Sequence, residues 1–190
     1  MKNILVFYEG ESELNYINKL KQLLKISKKK ISIKLKKETI SLKLINIAFS
    51  ELRKNDYDFV FIICDREEDQ NRIKTLNDCE KEFEKKNKKN SKNVKILVSN
   101  LCFEVWLLFH FKKFYCKNFT MLQLKNELQK FNYKKADIDW IDKFITEENL
   151  KVAIENSDFN NEMIKAENQS SYYYSETSFQ HFAKFLIDNR

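Results

Sequence analysis

Phe59-Val60-Phe61-Ile62-Ile63-Cys64, followed at once by Asp65-Arg66-Glu67, is the stretch that decides the fold. A continuous apolar run without polar alternation fits a central parallel strand covered on both faces. It stops at a carboxylate, where the backbone leaves the core and enters a loop. Upstream, residues 3–8 form a second apolar run that ends at Glu9-Gly10-Glu11, after which Leu14, Ile17, Leu20 and Leu24 recur at spacings of three or four. This predicts strand, tight turn and amphipathic helix. Ile31, Ile33 and Leu35 then alternate with Ser32, Lys34 and Lys36 as in a half-buried strand, and Ile45, Ala48 and Leu52 mark a helix.

Downstream, Ile73, Leu76, Cys79 and Phe83 predict a helix from Gln70 to Lys86, and the Lys/Asn stretch of residues 85–93 reads as a solvated loop. Val94 to Val98 makes a fourth strand, and Ser99-Asn100 offer capping side chains to a helix over Leu101 to Phe111. Four strands alternating with helices predict an α/β fold, a parallel sheet flanked by helices. Beyond about residue 113 the strand signals fade. Leu124, Leu128 and Phe131, then Ile138, Ile141 and Ile145, then Phe179, Phe182 and Leu186 predict three more helices. The chain therefore divides into an α/β core over residues 1–112 and a helical C-terminal extension over 113–190 packed on it, with no linker between them and no internal repeat.

The 190 residues, 43% hydrophobic, suffice for one sizeable core. The apolar runs fall well short of the roughly 20 residues that span a bilayer. The N-terminus lacks the apolar stretch and cleavage site of a signal peptide, so a cytoplasmic protein without membrane attachment is expected. Cys64, Cys79, Cys102 and Cys116 are widely spaced and mostly sit in apolar segments, which suits buried thiols better than disulfides or a zinc site. The net charge of +7 invites a nucleic-acid partner. Lysine dominates, however, alongside Asn, Ile and Phe, with one Gly and no Pro, so compositional bias explains the charge as well as a basic surface does.

Ligands of open α/β sheets gather at the carboxyl ends of the strands. Glu9, Asp65 and Ser99-Asn100 all follow strands directly. Carboxylates crowded at that edge repel one another unless a cation offsets them, and hard oxygen donors suit Mg²⁺ or Mn²⁺. Asp65 and Glu67, two apart in extended chain, should project the same way and approach one ion. Gly10, the only glycine, falls at the first strand-to-helix turn, where positive φ or close backbone approach calls for glycine. Glu104 is the only charged residue from Val98 through Phe111 and therefore needs a buried partner or a cation. His110, six residues on, should lie on another face and is expected to be a packing or hydrogen-bonding residue.

Tyr8-Glu9-Gly10-Glu11-Ser12-Glu13, Cys64-Asp65-Arg66-Glu67 and Ser99-Asn100-Leu101-Cys102-Phe103-Glu104-Val105-Trp106-Leu107-Leu108-Phe109-His110-Phe111 together resemble the RloB-like family, in this order and spacing. The resemblance implies a TOPRIM domain whose metal centre uses Glu9 and an Asp-x-Asp type pair at Asp65 and Glu67. Two departures stand out: Glu67 replaces the usual Asp, and Leu101 stands where the family commonly has Pro.

The family likeness also implies prokaryotic antiphage defence beside an AAA/ABC-type ATPase. On this reading the chain is a nuclease with Glu9, Asp65 and Glu67 as catalytic residues and Glu9, Asp65, Glu67 and Glu104 as ligands of Mg²⁺ or Mn²⁺. Its partners would be a nucleic-acid substrate and the ATPase, and self-association into a homo-oligomer is compatible with it. The rival readings are a non-catalytic TOPRIM-like regulatory or sensor subunit, and a plain nucleic-acid binder using Trp140 and Tyr172-Tyr173-Tyr174. The C-terminal extension is expected to contact a protein partner rather than take part in chemistry.

Overall fold

In the computed structural model, strands β1 (Lys2–Tyr8), β2 (Ile31–Lys37), β3 (Phe59–Asp65) and β4 (Val94–Asn100) run parallel. A two-residue strand, β5 (Glu176–Thr177), joins antiparallel, giving the order β2-β1-β3-β4-β5. The helices are α1 (Glu11–Leu23), α2 (Leu42–Arg53), α3 (Gln70–Asn90), α4 (Glu104–Phe109), α5 (Met121–Gln129), α6 (Ile138–Phe144), α7 (Glu147–Ala166) and α8 (Gln180–Asn189). The structure describes residues 1–54, 56–90, 93–115, 119–166 and 176–190, so Cys116 and Tyr172 to Tyr174 lie outside the described residues.

The pleat sends alternate residues of the central strands into two separate apolar layers. Ile4, Val6, Phe61 and Ile63 pack with Tyr16, Ile17 and Leu20 of α1 and with helices α4 to α8. Leu5, Phe7, Val60, Ile62 and Cys64 face Leu44, Ile45 and Ala48 of α2 and Leu76 and Cys79 of α3. α1 and α2 thus cover opposite faces, and the chain reverses direction across the sheet between neighbouring β1 and β3. Such a switch point opens a crevice at the carboxyl edge.

Four local expectations are corrected. α3 continues to Asn90, through most of the stretch read as a loop; ion pairs such as Lys86 to Glu82 at 3.2 Å suit this charged helix. Ser99 and Asn100 are not caps but end β4, where Ser99 Oγ meets Thr177 Oγ1 at 2.9 Å. α4 is correspondingly short and begins at Glu104. Its Asn100–Leu101 approach contains a cis peptide bond. The C-terminal region holds four described helices rather than three, together with β5. The missed α7 buries Leu150, Ala153 and Ile164 but also Asn156, Ser157 and Asn160, so its inward face carries no apolar stripe. Two of those polar groups are hydrogen-bonded to distant backbone: Asn156 Nδ2 donates to Phe109 O at 2.8 Å, and Ser157 Oγ donates to Thr177 O at 3.5 Å.

Cys64, Cys79 and Cys102 are buried free thiols. Among the described residues, no helix is long and apolar enough to cross a membrane. Trp140 is buried, its indole N–H donating to Phe131 O at 2.8 Å, and so offers no platform for base stacking.

His110 is the packing residue expected. Its Nδ1 faces Trp106 O at 3.1 Å, and a carbonyl can only accept, so Nδ1 carries the proton while Nε2 accepts from Tyr16 Oη at 2.8 Å. Burial pushes the imidazole down from 6.5 to about 4. The unfolded chain therefore binds a proton in a range where the fold does not. Stability from this group is complete above pH 6.5 and is lost as the pH falls toward 4, by about 3 kcal/mol in all. Urea unfolding between pH 7.5 and 4.5 should show this slope, and a His110→Gln variant, less stable throughout, should lack that part of it.

Candidate active site at the carboxyl edge of the sheet

Glu9 follows β1, Asp65 ends β3, and Glu104 opens α4 just beyond β4, so three strand ends bring these acids to one edge. The ladder between β3 and β4 continues past Asp65, because Arg66 N–H donates to Ser99 O at 2.9 Å and Glu67 N–H to Leu101 O at 2.8 Å. These bonds fix the loop that carries Asp65.

The Glu9 carboxylate is fully engaged. Its Oε1 accepts from Ile40 N–H at 2.7 Å, and its Oε2 accepts from Asp65 N–H at 3.2 Å and from the Arg72 guanidinium. Arg72 also donates through Nε and Nη2 to Asp65 O, at 3.0 and 2.9 Å. One planar fork thus ties the end of β1 to the end of β3, a geometry that lysine cannot copy. Arg66, the neighbouring arginine, is buried and pairs with Glu80 at 3.2 Å. Two of the chain's four arginines therefore flank the acidic loop of an otherwise lysine-rich protein.

Asp65 lies in the midst of the acids. Burial pushes its carboxyl well above the usual range, and the charges of Glu13, Glu104, Glu9 and Glu67 push it further. Its buried Oδ1 has no hydrogen-bond partner among the described residues. Glu104 is buried and receives two neutral donors on Oε1, Ser12 Oγ at 2.9 Å and Tyr133 Oη at 3.0 Å. Among the described residues, no ion pair joins it to a lysine. Tyr133 comes from the C-terminal region, which thereby reaches the site instead of serving only as an outer surface.

Glu67 behaves differently from the sequence expectation. It is exposed and has φ 58°, in the left-handed region, so the chain after Asp65 is not extended and the two acids do not project in parallel. It sits at the rim, the last of the four charges acting on Asp65.

Glu13 is the acid that sequence reasoning missed. It is 2% exposed, its Oε1 is another orphaned buried oxygen, and burial, with help from Glu104 and Glu9, raises its carboxyl to about 6. The signal was present: Glu13, Tyr16, Ile17, Leu20 and Leu24 fall on one helical stripe, and all are buried. An acid on an apolar stripe is costly unless something uses it.

Gly10 has φ −120°, so positive φ is not its reason for being glycine. A Cβ there would stand 2.7 Å from Glu13 Oε2. Gly10 leaves the room in which the Glu13 carboxylate lies. Gly10→Ala should change stability by no more than about 1 kcal/mol, since its backbone suits alanine. If these acids hold a divalent cation, the same variant should weaken Mn²⁺ binding about tenfold by displacing Glu13, as calorimetric titration would show.

The RloB-like protein family model matches residues 4–183. The chain belongs to the RloB-like family. No curated protein and no solved structure matches it. In this RloB-like chain the three stretches carrying the sequence resemblance supply Glu9, Glu13, Asp65, Glu67 and Glu104. Among the described residues, no three or more His, Cys, Asp or Glu side chains are already spaced to hold a metal ion. The donor chemistry nevertheless suits a hard cation: one oxygen each of Asp65 and Glu13 is buried without a partner among the described residues, and burial, then neighbouring acids, raises both carboxyls.

Proposed function

We propose that this RloB-like protein is a divalent-metal-dependent nuclease of TOPRIM type, hydrolysing phosphodiester bonds of nucleic acid in prokaryotic antiphage defence alongside an AAA/ABC-type ATPase. The observation that carries the reading is the pair of orphaned buried carboxylate oxygens, Asp65 Oδ1 and Glu13 Oε1, among acids that raise one another's proton affinity. Burial is the larger cause and neighbouring negative charge the smaller, and a bound cation would offset both.

Asp65, Glu13 and Glu104 would hold Mg²⁺ or Mn²⁺, with Glu9 behind them and Glu67 at the rim. When bound, the ion supplies polarisation of the phosphate and stabilisation of the leaving oxygen. Ser12 and Tyr133 orient Glu104 by donating to one of its oxygens. Glu9 fixes the end of β3 through the Asp65 N–H, and Arg72 cancels the Glu9 charge.

A second reading, a non-catalytic subunit that binds an ATPase partner, is favoured by one observation. Glu9 is already taken by Arg72, and no three-acid cage is preformed among the described residues. Incubation with a panel of tRNA, other RNA and DNA, with Mg²⁺ or Mn²⁺ and with or without a cognate ATPase, separates the two. The nuclease reading expects cleavage that EDTA and Asp65→Asn both abolish. Equal cleavage by wild type and Asp65→Asn would sink it, and no cleavage with intact ATPase binding would favour the subunit.

A further inference from the structure

Beside the acids lies a cavity of about 530 Å³ whose inner end is closed by Glu104, Tyr133 and Cys102. This is within the roughly 300–1,000 Å³ of small-ligand sites. Leu124 and Leu128 of α5 form its buried apolar wall, while Met121 and Leu122 stand at the mouth, 40% and 67% exposed. These two side chains carry the apolar wall out to the surface. Lys125, Lys134 and Lys135 also line the cavity, and all three are exposed. None of the three pairs with a carboxylate among the described residues, although lysines nearby do, such as Lys112 and Lys130 with Glu127.

We propose that this cavity is the substrate's entry subsite, seating an unpaired nucleobase of a single-stranded nucleic acid while Lys125, Lys134 and Lys135 hold the flanking phosphates. The proposal rests on the nuclease reading for what happens at Glu104, but its binding chemistry is independent of it. An apolar wall rimmed by unpaired cations matches a strand whose bases are flat and apolar in face and whose backbone is anionic. A duplex buries those faces in its own stack, so only an unpaired base can fill such a space. Tyr133 lines the cavity and donates to Glu104, which makes it the link between subsite and acids. Glu104, at one end of the cavity, would hold the cation that offsets a phosphate brought beside it.

The test is fluorescence anisotropy with the full chain and a short labelled single-stranded RNA of mixed sequence, in EDTA so that no cleavage intervenes. Wild type should bind the single strand more tightly than the matching duplex. The triple variant Lys125→Ala, Lys134→Ala, Lys135→Ala should bind about tenfold or more weakly. Its log–log salt dependence should be shallower by about 2, three phosphate contacts at about 0.7 each. Leu122→Glu should also weaken binding, through the wall rather than through lost cations. Circular dichroism melting of each variant checks that the fold is kept, these side chains being on the surface. Unchanged affinity and salt slope in the triple variant would overturn the subsite and leave the groove to a protein partner. A duplex bound as tightly as the single strand would overturn the base-seating part. Because this assay contains no metal, it reads binding alone; strand binding here together with no cleavage in the Mg²⁺ or Mn²⁺ assay would refute the nuclease reading and leave the subsite standing.

Discussion

The double substitution Asp65→Asn with Glu13→Gln is expected to make the protein more stable while removing the proposed nuclease activity. Glu13 has a carboxyl raised from 4.5 to about 6, so the folded chain holds a proton that the unfolded chain releases. Stability tied to this group is fully present below pH 4.5 and is lost as the pH rises through about 6, which leaves a penalty of about 2 kcal/mol at pH 8. Asp65 adds to that penalty in the same direction. Neutral amides remove it. In EDTA at pH 8 the double variant should melt at least about 4–8 °C above wild type, and at pH 4 the two should nearly coincide. With Mn²⁺ the order should invert, because a cation rewards the charged acids and not the amides. Cleavage should fall about a hundredfold or more in the same variant. A double variant that melts below wild type in EDTA at pH 8 would show that the ionised acids stabilise the fold by themselves and are no cation site.

The second large effect is structural. Phe182→Ala is expected to cost about 3–5 kcal/mol, since its ring is fully buried and meets Phe61 at 4.9 Å and Phe179 at 5.6 Å. Phe61 lies on the central strand, so α8 covers the middle of the sheet rather than a margin. Chemical denaturation should show an earlier midpoint with an unchanged slope. Deletion of residues 170–190, which removes Phe179, Phe182 and Leu186 together, should leave no cooperatively folded protein. A truncated chain that still unfolds in one sharp transition would contradict this.

These two cases show which physical signals the sequence carries. The parallel core was legible because Phe59 to Cys64 is apolar on both faces and because the helices after β1, β2 and β3 show a 3.6 period. Glu9, Asp65 and Glu104 were legible because each follows a strand, and sheet topology alone sends strand ends to one edge. α7 was not, because Asn156, Ser157 and Asn160 interrupt its buried face between Ala153 and Ile164, and no continuous apolar period shows. β5 was not, because two residues cannot display alternation. Glu67 was misjudged for a different reason: projection from i to i+2 assumes an extended chain, and the left-handed turn there is set by contact with Leu101. Arg72 has no local signature at all, since its role appears only when β1 and β3 lie side by side.

The division of the core into two layers has a consequence for the order in which the chain matures during synthesis. Every buried residue of the layer under α2 and α3 lies between Leu5 and Val94, so that half of the protein can condense while later segments are still being made. The opposite layer needs residues from Ile4 to Leu186, and its closing helix leaves the ribosome after every other described element. Until then, Phe61 lacks the Phe182 and Phe185 rings that pack against it. A nascent chain of this kind is therefore a half-covered sheet, dependent on prompt completion or on a chaperone to avoid sticking to its neighbours.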